Sequence, residues 1–215
     1  MNIVISGTGR GIGKAIAERF LAAGDAVFGF DMRGSAIEHP SYRHFVFDIT
    51  RDEPIEPVDA HIIINCAGTL EGDEAIEVNL CGNIRFTELF KDSTSLSSVL
   101  FIASASARNG AEFPFYVASK AGIVGYMKNL ALALSKRGIT VNSISPGGVI
   151  TESNAHILES ERLYRAVLDE TLLDKWAEPE EIAELAYYMT KVNRSITGED
   201  ILIDNGEMLK SNFIW

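Results

Sequence analysis

Cysteine is scarce in this chain: Cys66 and Cys81 are the only two in 215 residues. Two thiols cannot build the disulfide framework of a small secreted domain, so both are expected to be reduced, buried small residues. They also lack the tight spacing with histidine that metal ligation needs, and no metal is expected. Positive charge is short as well. Nineteen Lys and Arg against 30 Asp and Glu leave a formal net charge of -11, so nucleic acid, which demands a basic face, is not an expected partner. No apolar stretch reaches the ~18 residues that suggest a membrane span, and "MNIVISGTG" shows no basic leader before a long apolar run. A cytoplasmic protein without a membrane partner is the expectation. No repeat, low-complexity run or linker divides the sequence, which predicts one domain over residues 1–215.

What is present is a regular alternation. Short apolar runs at 2–6, 26–30, 44–47, 61–65, 98–103, 139–145 and 200–204 read as strands, most of them continuously apolar as in parallel strands covered on both faces. Helical patterns fill 12–23, 75–90, 115–136 and 180–191, with a weaker one at 160–170. Strand–helix alternation of this kind predicts a doubly wound α/β fold on a mostly parallel seven-stranded sheet. Two crossovers look too short for a helix. The one after the second strand offers only "GSAIEHP", and the one after the third, "TRDEPIEPVDA", holds two prolines.

The first strand runs into "SGTGRGIG", with Gly7, Gly11 and Gly13 ahead of the first helix. Glycine permits the tight turn and lets a pyrophosphate approach the helix amino terminus, where free N–H groups and the dipole favour an anion. A glycine triplet between the first strand and a helix predicts dinucleotide binding. Asp31 closes the second strand, where a carboxylate accepts hydrogen bonds from the adenosine ribose and repels a 2′-phosphate. NAD is therefore expected over NADP. Arg10 in the glycine loop pulls the other way, since it could pair with that phosphate, and Arg33 stands nearby.

With these residues assembled, the sequence resembles the short-chain dehydrogenase/reductases over essentially its whole length, and the resemblance implies a Rossmann-type fold. The glycine loop is similar to TGxxxGIG, with Ser6 in place of Thr and Ile12 between the last two glycines. Asp48 corresponds to the acidic residue beside the adenine. "NCAG" (Asn65, Cys66, Ala67, Gly68) resembles NNAG, "VNLCG" carries Asn79 at the position of the family's catalytic asparagine, and "YVASK" is the YxxxK motif. "SPGGVIT", with Pro146, Gly147, Val149 and Thr151, resembles the PGxxxT segment that holds the nicotinamide carboxamide. "DNG" at 204–206 stands where the family has DGG.

Tyr116 and Lys120 lie four apart on a predicted helix and so share a face. A tyrosine near pKa ~10 is a poor acid–base group at neutral pH, and a neighbouring ammonium favours the phenolate and lowers that value. The resemblance implies that Tyr116 transfers the proton, that Lys120 also binds the nicotinamide ribose, and that Asn79 orders a water in the relay. It assigns the substrate-polarising hydroxyl to Ser104, twelve positions before Tyr116 and one short of the family spacing, with Ser106 as the alternative. An NAD(H)-dependent oxidoreductase acting on a secondary alcohol or ketone is the expected function. The rival is a dinucleotide-binding regulator without turnover, disfavoured by an intact Ser–Tyr–Lys–Asn set.

Between Thr151 and Trp176 the family has a lid, here rich in Ile157, Leu158, Leu163, Tyr164, Val167, Leu168, Leu172 and Leu173, with Phe113 and Phe115 ahead of Tyr116. The expected small-molecule substrate is uncharged and largely apolar. Arg108, Arg162, Arg165 and Lys175 are the basic residues able to pin an anion instead. The resemblance also implies a homodimer or homotetramer, and the apolar "NFIW" tail suggests a packing surface.

Overall fold

The computed structural model describes residues 1–70, 72–111 and 113–209; the "NFIW" tail lies outside them. Seven strands form one sheet: β1 (Asn2–Ser6), β2 (Ala26–Asp31), β3 (Tyr42–Val46), β4 (Ile62–Asn65), β5 (Ser98–Ile102), β6 (Thr140–Pro146) and β7 (Asp200–Ile203). Their order is β3-β2-β1-β4-β5-β6-β7. Every pairing is parallel, a stricter result than the mostly parallel sheet expected.

Helices cover both faces. On one side lie α1 (Gly11–Ala22) and, from the far end of the chain, α7 (Pro179–Tyr187). α1 buries Ala15, Ile16, Phe20 and Leu21, a stripe at helical spacing, against the sheet. α7 starts on Pro179, whose fixed φ suits the first helical position, and the Glu181 carboxylate accepts the Glu178 N–H at 2.8 Å. On the other side lie α2 (Asn83–Phe90) and the long α4 (Pro114–Leu134). Three short helices complete the set: α3 (Ser106–Asn109) after β5, then α5 (Ala155–Leu158) and α6 (Glu161–Leu168) beyond β6.

The two trimmed crossovers are helix-free, as expected. Loop residues do the covering instead: Ile37 from the β2–β3 connection joins the α1 side, and Ile55 and Val58 from the β3–β4 connection join the α2 side. There Phe30 stacks on Phe45 with centroids 4.6 Å apart and meets Phe86 and Phe90 edge-on. Large aromatic area compensates for the absent helix.

The element expected at 75–90 departs from the sequence reading. Ile76–Gly82 is a π-helical stretch and only Asn83–Phe90 is α-helix. The wider turn carries Asn79, whose side chain is drawn to partners on two other segments, a tertiary pull that periodicity does not report. The helix expected at 180–191 likewise ends at Tyr187 and passes into a π turn, Tyr188–Val192. β3 starts at Tyr42, two residues ahead of its expected start. Among the described residues no helix is long and apolar enough to cross a membrane, and no cluster of three His, Cys, Asp or Glu residues could hold a metal ion.

Candidate active site

The carboxyl ends of parallel strands collect the candidate residues, and the reversal of strand order between β1 and β4 opens the crevice expected there. Gly7 adopts φ 78°, and a Cβ on it would stand 2.7 Å from the Ala67 nitrogen, so the glycine loop lies directly on the segment after β4. α1 has no side-chain cap at Arg10 and no acidic residue in its first turn. Its positive end is therefore left for an anion. Thr151 faces this turn, with its methyl 3.3 Å from where a Gly11 Cβ would lie. A close-packed glycine turn, an uncapped helix start and a facing threonine fit a dinucleotide pyrophosphate.

Ser6, present where Thr is usual, binds the loop after β4. Its hydroxyl oxygen accepts the Cys66 and Ala67 N–H groups at 3.1 and 3.2 Å and donates to Asn83 Oδ1 at 3.4 Å. Asn83 Nδ2 in turn donates to the carbonyls of Ala67 (2.9 Å) and Asn79 (3.0 Å). Asn65 is buried, with Oδ1 accepting the Thr87 hydroxyl, so its side chain serves α2. Burial pushes the Cys66 thiol up to about 12, against the weaker opposing pull of Lys120, and an inert, protonated thiol is the result.

Asn79 is 1 % exposed. Its Oδ1 accepts the Thr69 N–H at 2.7 Å, and its Nδ2 donates to the Thr69 carbonyl at 2.9 Å and to Ser119 Oγ at 3.0 Å. The amide thus clasps the post-β4 segment to α4, and Ser119 Oγ passes the contact on to the Tyr116 carbonyl at 2.7 Å. Lys120 is buried, donates to the Ile102 carbonyl at 2.9 Å, and stands 5.6 Å from the centre of the Tyr116 ring. Tyr116 and Lys120 do share a face, as their spacing predicts. The Ser104 and Ser106 hydroxyls share a hydrogen bond, with their oxygens 2.6 Å apart. The two alternatives of the sequence reading are one paired unit at the end of β5.

At the other end of the crevice, Asp31 accepts the Gly9 N–H and the Arg33 N–H, each at 2.8 Å. Asp48 accepts both the N–H and the hydroxyl of Thr50 and pairs with Arg51 at 3.1 Å. Burial opposes its ionisation, but these partners outweigh burial and hold its pKa below the usual carboxylate range.

At the end of β6, the Pro146–Thr151 segment is secured by Trp176 and Ala177. Ala177 donates to the Gly148 carbonyl at 3.0 Å and accepts from Ile150 N–H at 2.9 Å, and the Trp176 indole covers Gly148. Asn205 has φ 54°, which explains a residue usually glycine: Asn is the side chain that best tolerates the left-handed region. Its carbonyl accepts both Leu172 and Leu173 N–H groups, tethering the 172–173 segment to the turn after β7. Arg108, a candidate for anion binding from sequence, is instead paired with Asp200 at 2.8 Å, and Ser143 and Ser145 donate to the same carboxylate.

Sequence reasoning missed Asn83 and Ser119. The signal for Asn83 was a second asparagine four residues after Asn79 on the predicted 75–90 helix; Ser119 stood unnoticed inside "YVASK".

The fold and its glycine-lined crevice define an α/β protein of the dinucleotide-binding class. A family model described as enoyl-(acyl carrier protein) reductase matches residues 7–207. The chain belongs to the short-chain dehydrogenase/reductase family of oxidoreductases. Among its relatives, an L-rhamnose 1-dehydrogenase (NADP(+)) of Thermoplasma acidophilum is 25 % identical over 97 % of this chain and 96 % of its own length. A 3-oxoacyl-[acyl-carrier-protein] reductase of Aquifex aeolicus is 25 % identical over 94 % and 95 %. A 4-hydroxyisoleucine dehydrogenase solved in complex with NADH is 28 % identical, with a TM-score of 0.89 covering 98 % of this chain and 99 % of that one.

Proposed function

We propose that the protein interconverts a secondary alcohol and a ketone with NAD(H), using Tyr116 as the proton-transfer group. The observation that carries this reading is the Lys120 ammonium, 5.6 Å from the centre of the Tyr116 ring and bonded to the Ile102 carbonyl, two residues along the chain from Ser104. In reduction Tyr116 gives its proton to the carbonyl oxygen, and in oxidation it takes the alcohol proton. Ser104 donates a hydrogen bond to the same oxygen, and Ser106 donates to Ser104 in support. Lys120 favours the phenolate; an ammonium has three donors, enough to hold the Ile102 carbonyl and ribose hydroxyls together. Asn79 acts through structure, since its side chain is engaged with Thr69 and Ser119. A bound nicotinamide ring supplies the hydride chemistry, and the protein supplies position. One domain over the whole chain carries all of these residues.

Asp31 favours NAD, while the relatives named above divide between NADH and NADP(+). The substrate we propose is uncharged and largely apolar. Leu172, Leu173, Phe113 and Phe115 are exposed apolar side chains on the segments that flank Tyr116 and follow Thr151. Three of the four cations named from the sequence, all but Arg162, already have carboxylates: Arg108 with Asp200, Arg165 with Asp169 and Asp174, Lys175 with Glu181. Incubating the protein with NAD⁺ or NADP⁺ and a panel of secondary alcohols, following nicotinamide absorbance, tests the reaction; no turnover with any member leaves the regulator reading. Matched neutral and carboxylate-bearing ketones test the substrate class, and a higher kcat/KM for the carboxylate refutes it. We also propose a homodimer or homotetramer in the cytoplasm; light scattering that gives the monomer mass at micromolar concentration refutes the assembly.

A further inference from the structure

The β2–β3 connection has no helix to hold it, yet its first residues are tied to the glycine loop by a chain of side chains. Gly29 on β2 leaves room for it: a Cβ there would stand 2.2 Å from the Tyr42 hydroxyl and 2.6 Å from Thr8 Oγ1. Across that gap Thr8 Oγ1 and Tyr42 Oη are 2.9 Å apart, Tyr42 Oη and His44 Nδ1 are 2.9 Å apart, and His44 Nε2 lies 2.8 Å from the Arg33 carbonyl. The direction of the chain follows from its last link. A carbonyl can only accept, so the neutral imidazole carries its proton on Nε2 and accepts from Tyr42 at Nδ1. Thr8 then donates to Tyr42. Burial raises the Tyr42 pKa against the Thr8 hydrogen bond, with Asp31 adding to the rise, so the phenol keeps the proton it must donate. The same two loops are joined a second time through Asp31, which accepts from Gly9 and from Arg33.

We propose that Tyr42 and His44 are positioning residues for cofactor choice: they hold the 31–34 segment against the glycine loop and so fix where the Asp31 carboxylate stands. The inference rests on the reading that Asp31 meets the adenosine ribose. A carboxylate discriminates against a 2′-phosphate only while it is held beside it. Once the Arg33 carbonyl is released, the 32–34 turn can move and the Arg33 N–H can leave the Asp31 carboxylate, which then turns more freely while its backbone stays in β2, and the cations of Arg10 and Arg33 can meet the phosphate.

Calorimetric titration of the full chain with NADH and with NADPH tests this, using the wild type, Tyr42→Phe, His44→Ala and His44→Gln. Losing one link should weaken NADH binding about tenfold, the scale of one net hydrogen bond, in both Tyr42→Phe and His44→Ala. NADPH affinity should stay within about a factor of two, so the preference narrows. The value of kcat at saturating NADH should not change, and His44→Gln, which keeps a donor at the reach of Nε2, should recover part of the NADH affinity. Tyr42→Phe removes a single oxygen and guards against misfolding of the His44 variants. Equal losses for both cofactors, or an unchanged NADH Kd, overturn the proposal. A wild type that binds neither dinucleotide refutes the cofactor reading itself, and the inference falls with it.

Discussion

The two ends of the crevice are built by different means. Around β4, β5 and α4, orientation comes from buried amides and hydroxyls: Asn79, Asn83, Ser119, Ser6 and Thr87 bond one another and the backbone with almost no exposure. Around β2 and β3, where crossover helices are missing, the same task falls to half-exposed groups on the strands and the turn after β3, among them Asp31, Tyr42, His44 and Asp48. A buried polar network is expensive to break, because each orphaned group stays away from water. A half-exposed one can be rehydrated. Damage at the first end should therefore appear in stability as well as chemistry, and damage at the second mainly in ligand choice.

The largest effect is expected where chemistry is proposed. Tyr116→Phe should lower kcat by about 10²–10⁴-fold, the usual worth of an acid–base group, with NADH affinity unchanged. A variant retaining most of its turnover breaks the assignment. Next comes Asn83→Ala, which leaves the buried Ser6, Ala67 and Asn79 groups short of a partner. It should lower unfolding free energy by about 1–3 kcal/mol in urea titration. A smaller loss removes the contrast between the two ends. Asp31→Ala should raise NADPH use relative to NADH while the urea midpoint hardly moves; a large loss of stability would place Asp31 with the buried network instead.

The smallest effect is expected at Asp48. Its folded pKa lies under the unfolded one, so the stability it contributes is present above about pH 4 and is lost as pH falls through the folded value. Asp48→Asn should flatten that acid limb slightly and leave stability at pH 7 nearly unchanged, because the site is only partly buried. A steeper acid limb in the variant would contradict the sign.

Most of the fold was legible because strands covered on both faces are written as apolar runs: "NIVIS", "HIIIN" and "SVLFIA" each mark a strand within a residue of its observed ends. The glycine loop and "YVASK" were legible because their chemistry is local. The rest depends on partners far along the chain. Asp200 lies 92 residues from Arg108, so nothing near the arginine announced that its charge was engaged. The π stretch at Ile76–Gly82 carries Asn79, whose partners Thr69 and Ser119 lie ten and 40 residues away. Tyr42 and His44 share a strand face, but reading β3 from His44 onward left the tyrosine out of view.

The order of the strands also bears on how the molecule is made. β1 lies inside the sheet, and its second edge is closed by β4, with Ile3 opposite Ile62. A ribosome adding about 5–20 residues per second needs roughly 3–12 s to bridge that interval. During that time "NIVIS" has at most β2 beside it, and one apolar edge stays unpaired. β4 then waits in turn for β5, whose first residue is Ser98. The nascent chain thus presents a succession of unpaired apolar edges, first on β1 until β4 is made and then on β4 until β5 is made, and the interval from Ser6 to Ser98 is where protection by a chaperone is expected to matter.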